Sequence, residues 1–134
     1  MFEKIAYTDL NSRQKENYNF QKVAGELADY GYNCLRLNDD WQGADFLACH
    51  INGDTFLKVQ LKGRMCVDQK YCDKNIHIAF IDGDDCYVYP HDEFMAEVLA
   101  MNKINDSKSW RQHRAYSWPY LSKWARTALA PYKV

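Results

Sequence analysis

A chain of 134 residues, 47% of them apolar and 26% charged, has the usual length of one domain and enough apolar material for one substantial core. That balance excludes a disordered or low-complexity chain. No apolar run approaches the ~18 residues of a bilayer span, and the opening MFEKIAYTDLNSRQKENY has no signal-peptide core, so the expectation is a soluble cytoplasmic protein without a membrane partner.

Five cysteines, at 34, 49, 66, 72 and 86, are odd in number and include no CxxC pair, which argues for reduced, buried thiols and against a disulfide framework. Cys66 and Cys72 with His77 match no zinc spacing. The net charge of −1 does not advertise a polyanion partner, but it is unevenly spread. Lys103, Lys108, Arg111, Arg114, Lys123, Arg126 and Lys133 face one acid, Asp106, giving a tail of +6 on a body of −7. Such asymmetry can steer one end of a protein toward a polyanion, and it is equally the pattern of a solvated helix face.

In chain order, Phe20, Val23, Ala24, Leu27 and Tyr30 recur with a helical period and predict a helix over about 11–30. Asn11 or Ser12 suits its N-cap and Gly31 its exit. Tyr32 to Leu37 alternates as a strand, and DDWQG reads as a turn. Ala44 to His50 and Thr55 to Lys62 are strands joined at Asn52-Gly53, a strong hairpin signal. In the second of these, Leu57, Val59 and Leu61 point one way, and Phe56, Lys58, Gln60 and Lys62 the other.

GRMCVDQKYCDKN reads as a polar loop, followed by strands Ile76 to Ile81 and Cys86 to Tyr89 around a DGDD turn. His91 and Asp92 open a helix to about Met101, and a last helix runs from about Tyr120 to Leu129 with Pro119 near its first turn. Segregated strands and helices predict an α+β fold, one domain over 1–134, with helices packed on a sheet.

The hairpin brings Asp45, at the start of one strand, near Gln60-Leu61-Lys62 at the end of its neighbour. A carboxylate, an amide oxygen and the Leu61 carbonyl suit Mg²⁺ or Mn²⁺, which take hard oxygen ligands. An ammonium beside a metal-bound water suits phosphodiester hydrolysis. No Ser-His-Asp or Cys-His arrangement and no phosphate-cradling glycine loop competes with this set.

The segment GADFLACHINGDTFLKVQLKGR resembles the core of the PD-(D/E)XK nuclease superfamily. The resemblance rests on Gly43, Ala44 and Asp45, then Gln60, Leu61 and Lys62, after a helix ending in Gly31-Tyr32. It covers residues 15–90 and leaves 91–134 as a helical, basic C-terminal segment. It implies a restriction-endonuclease-like core, a central mixed sheet flanked by helices, and a Mg²⁺- or Mn²⁺-dependent endonuclease acting on DNA. A homodimer follows if both strands are cut, since one site cuts one strand. Asp45, Gln60 and Leu61 are then the metal ligands and Lys62 the water-orienting cation.

Two departures stand out: Ala44 replaces the usual proline, and Gln60 replaces the usual acid, as in some members of the superfamily. Asp39 and Asp40 could restore a missing carboxylate, although turn formation is their ordinary role. Relatives often carry a functional residue on the first helix, and the matching position falls near Phe20 or Gln21, with Glu16 second and Glu26 an ordinary surface acid. Lys58 and Arg64 flank the centre, and Arg111 and Arg114 sit among aromatics in WRQHRAY, where bases and phosphates can be held.

A rival reading keeps the fold as a catalytically inactive nucleic-acid-binding or protein-interaction module; another treats the motif as accidental in an interaction domain. The enzyme predicts metal binding that needs Asp45. The binding module predicts salt-sensitive, metal-free DNA affinity that needs Arg111 and Arg114.

Overall fold

The first helix, α1 (Ser12–Ala28), begins at a capping box. Asn11 Oδ1 accepts from the Gln14 N–H and Gln14 Oε1 from the Asn11 N–H, each at 2.9 Å. Two of the donors that every helix start leaves open are thereby satisfied. In this computed structural model, which describes residues 1–134, Val23 and Leu27 are the buried centre of the apolar stripe and Phe20 flanks them. Tyr30 lies beyond the helix end and is exposed.

Three antiparallel strands follow: β1 (Tyr32–Trp41), β2 (Ala44–His50) and β3 (Phe56–Leu61). β1 runs past its expected end at Leu37, so Asp39 and Asp40 belong to a strand and not to the turn. Pairing is irregular between Arg36 and Trp41, which hides the alternation there. The connection is Gln42-Gly43 alone, with φ of 53° and 85°. Two positive-φ residues make the twist that joins right-twisted strands. A Cβ on Gly43 would lie 3.4 Å from Tyr71 Cδ1 and 3.5 Å from Ile76 Cδ1. Gly43→Ala is therefore expected to cost about 1–2 kcal/mol, visible as a lower urea midpoint. An unchanged midpoint would contradict this account of the turn.

The mixed sheet has the order β1-β2-β3-β5-β6, with β5 (Ile76–Asp82) parallel to β3 and β6 (Asp85–Pro90) antiparallel to β5. The parallel pair needs a long crossover. The segment expected to be a polar loop supplies it, and part of it is interior. It holds β4 (Cys66–Asp68) and a 3-10 turn (Gln69–Tyr71); Met65 and Val67 are fully buried, and Cys66 and Tyr71 nearly so. Its buried residues are one run of three, Met65 to Val67, and the lone Tyr71 among charged and polar neighbours, so neither period appears.

After β6 come α2 (His91–Ala100), α3 (Lys108–His113), β7 (Ala115–Ser117) and α4 (Lys123–Leu129). The sequence signals do not predict α3 or β7, of 6 and 3 residues. Elements so short depend on tertiary pairing, here of β7 with β4. The last helix starts at Lys123, later than expected.

Side chains alternating along β5 and β6 feed two cores. Ala79, Cys86 and Val88 meet Phe46, Val59 and α1, while Ile78, Phe80 and Tyr89 meet Phe94, Trp110 and Leu129 on the other face. The result is an α+β fold with a five-stranded mixed sheet between helices. Over β1 to β3, the face opposite α1 is left open, with Leu35 and Phe56 51% and 64% exposed. The C-terminal bases are partly paired within the protein: Arg126 with Asp82 at 3.3 Å and Lys133 with Asp85 at 2.9 Å. No helix is long and apolar enough to cross a membrane.

Candidate active site

The β2–β3 ladder pairs Phe46 with Val59. One step further along the antiparallel register, Asp45 stands across from Gln60. There the Asp45 side chain replaces a strand partner: its Oδ2 accepts the Leu61 N–H at 2.8 Å. The next amide, Lys62 N–H, bonds the Ala79 carbonyl of β5 at 2.9 Å, so the end of β3 is held from both sides. Leu57, Val59 and Leu61 pack toward α1, so alternation along β3 puts Lys58 and Gln60 on the opposite face, and Lys62 follows just past the strand's end.

Burial is the main influence on Asp45 and pushes its carboxyl above the usual range. The Leu61 N–H and the Lys62 charge act the other way without offsetting burial and the negative charges of Asp40 and Glu16. A half-buried carboxylate with too little compensation is a good seat for a cation. Lys62 is the converse. Burial pulls its ammonium down, but the Tyr71 hydroxyl, with smaller effects from Cys66 and Asp45, leaves it above the usual lysine value. It is therefore a fixed positive charge at neutral pH.

The donor set fits a hard cation. Asp45 Oδ2 is engaged by Leu61, whereas Oδ1 has no protein partner, and the half-buried Gln60 amide has no protein hydrogen bond. Both free groups offer oxygen, the donor that Mg²⁺ and Mn²⁺ favour. Leu61 is beside them through its backbone. Asp40 adds a second carboxylate whose charge reaches Asp45.

On α1, the residue within electrostatic reach of Asp45 is Glu16, which also pairs with Arg36 at 3.8 Å. Gln21, the position favoured from the sequence, is exposed and makes no side-chain hydrogen bond. The middle of the helix also reaches this part of the sheet, Phe20 meeting Phe46 edge-on at 5.1 Å between ring centroids.

A groove of about 510 Å³ opens beside Lys62, lined among others by Arg64, Tyr71, Tyr116, Ser117 and Pro119. A cavity of about 470 Å³ lies on the other side of Lys62, between Tyr18 and Lys22 of α1 and the Gly83-Asp84 turn. Lys58 is half-buried, with Nζ 5.9 Å from the Trp41 ring centroid. Arg111 and Arg114 are exposed but line neither space; the Arg114 guanidinium lies 5.8 Å from the Trp110 ring centroid. Trp110 and Trp118 are buried core residues, and only Tyr116 of this aromatic group reaches the groove.

Cys72, His91 and Asp92, which the sequence did not group, gather their ligand atoms within 4.8 Å. His91 Nε2 accepts the Asp68 N–H at 3.0 Å, so Nδ1 carries the proton and donates to Asp92 Oδ1 at 2.9 Å. Both nitrogens thus serve the fold, and no ligand position remains on the histidine. Thiolate chemistry is also disfavoured at neutral pH: burial raises Cys34 to about 11 and Cys86 to about 12.

No protein-family model matches the chain, and no curated protein matches it. Among solved structures, that of a bacterial homing endonuclease, I-Ssp6803I, is similar over 64% of this chain and 70% of that one, with a TM-score of 0.47 and 20% identity.

Proposed function

We propose that this chain is a Mg²⁺- or Mn²⁺-dependent endonuclease of the PD-(D/E)XK type that hydrolyses DNA phosphodiester bonds. One observation carries the reading: the under-compensated Asp45 carboxylate is held on the Leu61 amide, across the register from Gln60 and beside the charged Lys62. That juxtaposition on the open end of a sheet is what metal-assisted phosphodiester hydrolysis requires.

Asp45 Oδ1, the Gln60 amide oxygen and the Leu61 carbonyl would hold the ion. When bound, the ion lowers the pKa of a coordinated water and neutralises phosphate charge. Asp45 keeps its rotamer because Leu61 N–H holds the other oxygen. Lys62 orients the attacking water and stabilises negative charge on the phosphate. Arg64 in the groove and Lys58 on the same face of β3 contact phosphates near the cut, with Arg111 and Arg114 as outlying contacts. One such site cuts one strand, so a double-strand break uses two copies of the chain.

The test is incubation of supercoiled plasmid and of branched DNA with the purified protein in Mg²⁺, Mn²⁺ or EDTA. Nicking is expected with either metal and not in EDTA. Lys62→Ala should slow it by about 10²–10³-fold, the scale of one lost charge-stabilising donor. Absence of cleavage by every form would sink the enzyme and favour the binding module. Metal-free, salt-sensitive DNA affinity weakened by Arg111→Ala and Arg114→Ala would identify that module.

A further inference from the structure

We propose that Tyr71 is a positioning residue, whose buried phenol sets where the Lys62 ammonium stands relative to Asp45. The inference rests on the proposed role of Lys62. It concerns a residue of the crossover that no pattern in the sequence singles out.

The first ground is contact. Lys62 Nζ lies 5.3 Å from the centroid of the Tyr71 ring, and both residues line the groove. A lysine has four rotatable bonds and loses about 2 kcal/mol of freedom when fixed, so an ammonium at the end of a strand needs something to hold it. An aromatic face within ~6 Å and a phenol oxygen are two such groups on one side chain.

The second ground is that Tyr71 is itself held firmly. It is 5% exposed and ends a 3-10 turn whose start is capped by Asp68 Oδ1, accepting the Lys70 N–H at 3.0 Å. The turn is tied to the C-terminal segment through Gln69 N–H and the Arg114 carbonyl at 2.9 Å. His91, wholly buried, accepts the Asp68 N–H and meets the Tyr71 ring edge-on at 5.6 Å between centroids. A flexible partner could not position anything; this one is fastened to α2 and to β7.

The third ground is reach. The same ring lies against Gly43, where a Cβ would be 3.4 Å from Tyr71 Cδ1. Gly43 opens the strand that carries Asp45, so one rigid ring abuts the backbone before Asp45 and the ammonium after Gln60. The glycine permits that approach, and the ring converts it into a spacing between the two halves of the site.

Tyr71→Phe tests this, since it keeps the ring and its packing and removes only the hydroxyl. Cleavage of plasmid DNA should fall about 10–100-fold in kcat, the usual range for a residue orienting a functional group, with KM changed less than about twofold. A second readout needs no activity. In protein labelled with ¹⁵N-lysine, Nζ relaxation should show an ordered Lys62 ammonium in the wild type and a mobile one in Tyr71→Phe.

Loss of order in the variant with no cleavage by any form would support the positioning role while removing the nuclease reading. A wild-type Lys62 ammonium as mobile as surface lysines would overturn the proposal without any variant. So would unchanged kcat and unchanged order in a folded Tyr71→Phe.

Discussion

Asp45→Asn is expected to abolish metal-dependent DNA cleavage and, at neutral pH, to raise the melting temperature of the protein. The loss of cleavage should be about 10³-fold or more, because the substitution removes a metal-holding charge as well as altering the field on the water. The gain in stability follows from the direction of the carboxyl's shift. Burial, the largest influence, leaves Asp45 above the ordinary aspartate range in the folded protein.

A carboxyl whose folded pKa is raised binds more protons folded than unfolded. Stability therefore declines as pH rises from the ordinary aspartate value through the folded one, and stays lower above it. Asparagine is free of that cost and can still accept the Leu61 N–H through Oδ1. The advantage of the variant should be present at neutral pH and vanish as pH drops below the ordinary aspartate range. Calorimetry across pH reads this directly. Added Mg²⁺ should raise the melting temperature of the wild type and leave the variant unmoved, because only the former gains a ligand. A variant that melts lower at neutral pH and still cleaves would mean that Asp45 is a structural clasp for Leu61.

Tyr89→Phe is expected to cost about 2–4 kcal/mol in urea unfolding, a large share of a small protein's stability. The Tyr89 side chain is fully buried, and its hydroxyl donates to the Cys66 carbonyl at 2.6 Å while accepting the Cys66 N–H at 3.0 Å. One phenol thus serves as a strand partner for Cys66 on the side of β4 away from β7. Phenylalanine would keep the ring against Phe94, 4.4 Å between centroids, and would leave two buried backbone groups unpaired. The effect is a backbone effect, not one of apolar area. A cost under about 0.5 kcal/mol would show that water or a shift of β4 re-satisfies Cys66.

These predictions bear on different layers of the molecule, and the sequence discloses the layers unequally. Asp45 could be matched with Gln60 and Lys62 because one hairpin joins them, and its turn at Asn52-Gly53 is marked by residue type. Side-chain alternation then assigned Gln60 to the face away from Leu57, Val59 and Leu61, which pack against the α1 core. Both features depend on neighbours within a few residues or across a tight turn.

Gln21 and Glu16 could not be separated in that way. Which turn of α1 approaches Asp45 depends on how the helix lies across the sheet, and the helical period fixes only which face is apolar. The crossover was misread for a related reason. Met65, Val67 and Tyr71 are buried by contact with α2, β7 and β6, residues far along the chain, so no local pattern marks them.

By itself the sequence determined the capped first helix, the hairpin strands, the α+β class and the residue types at the hairpin that suit a metal. These arise from backbone propensity, turn chemistry and periodic burial, all short-range. Only the tertiary structure decided that β1 extends through Asp39 and Asp40, that His91 is a buried brace, and that Tyr71 stands between Gly43 and Lys62. Those arrangements are set by packing between segments distant in the chain, where the free energy of burial, and not local preference, selects the conformation.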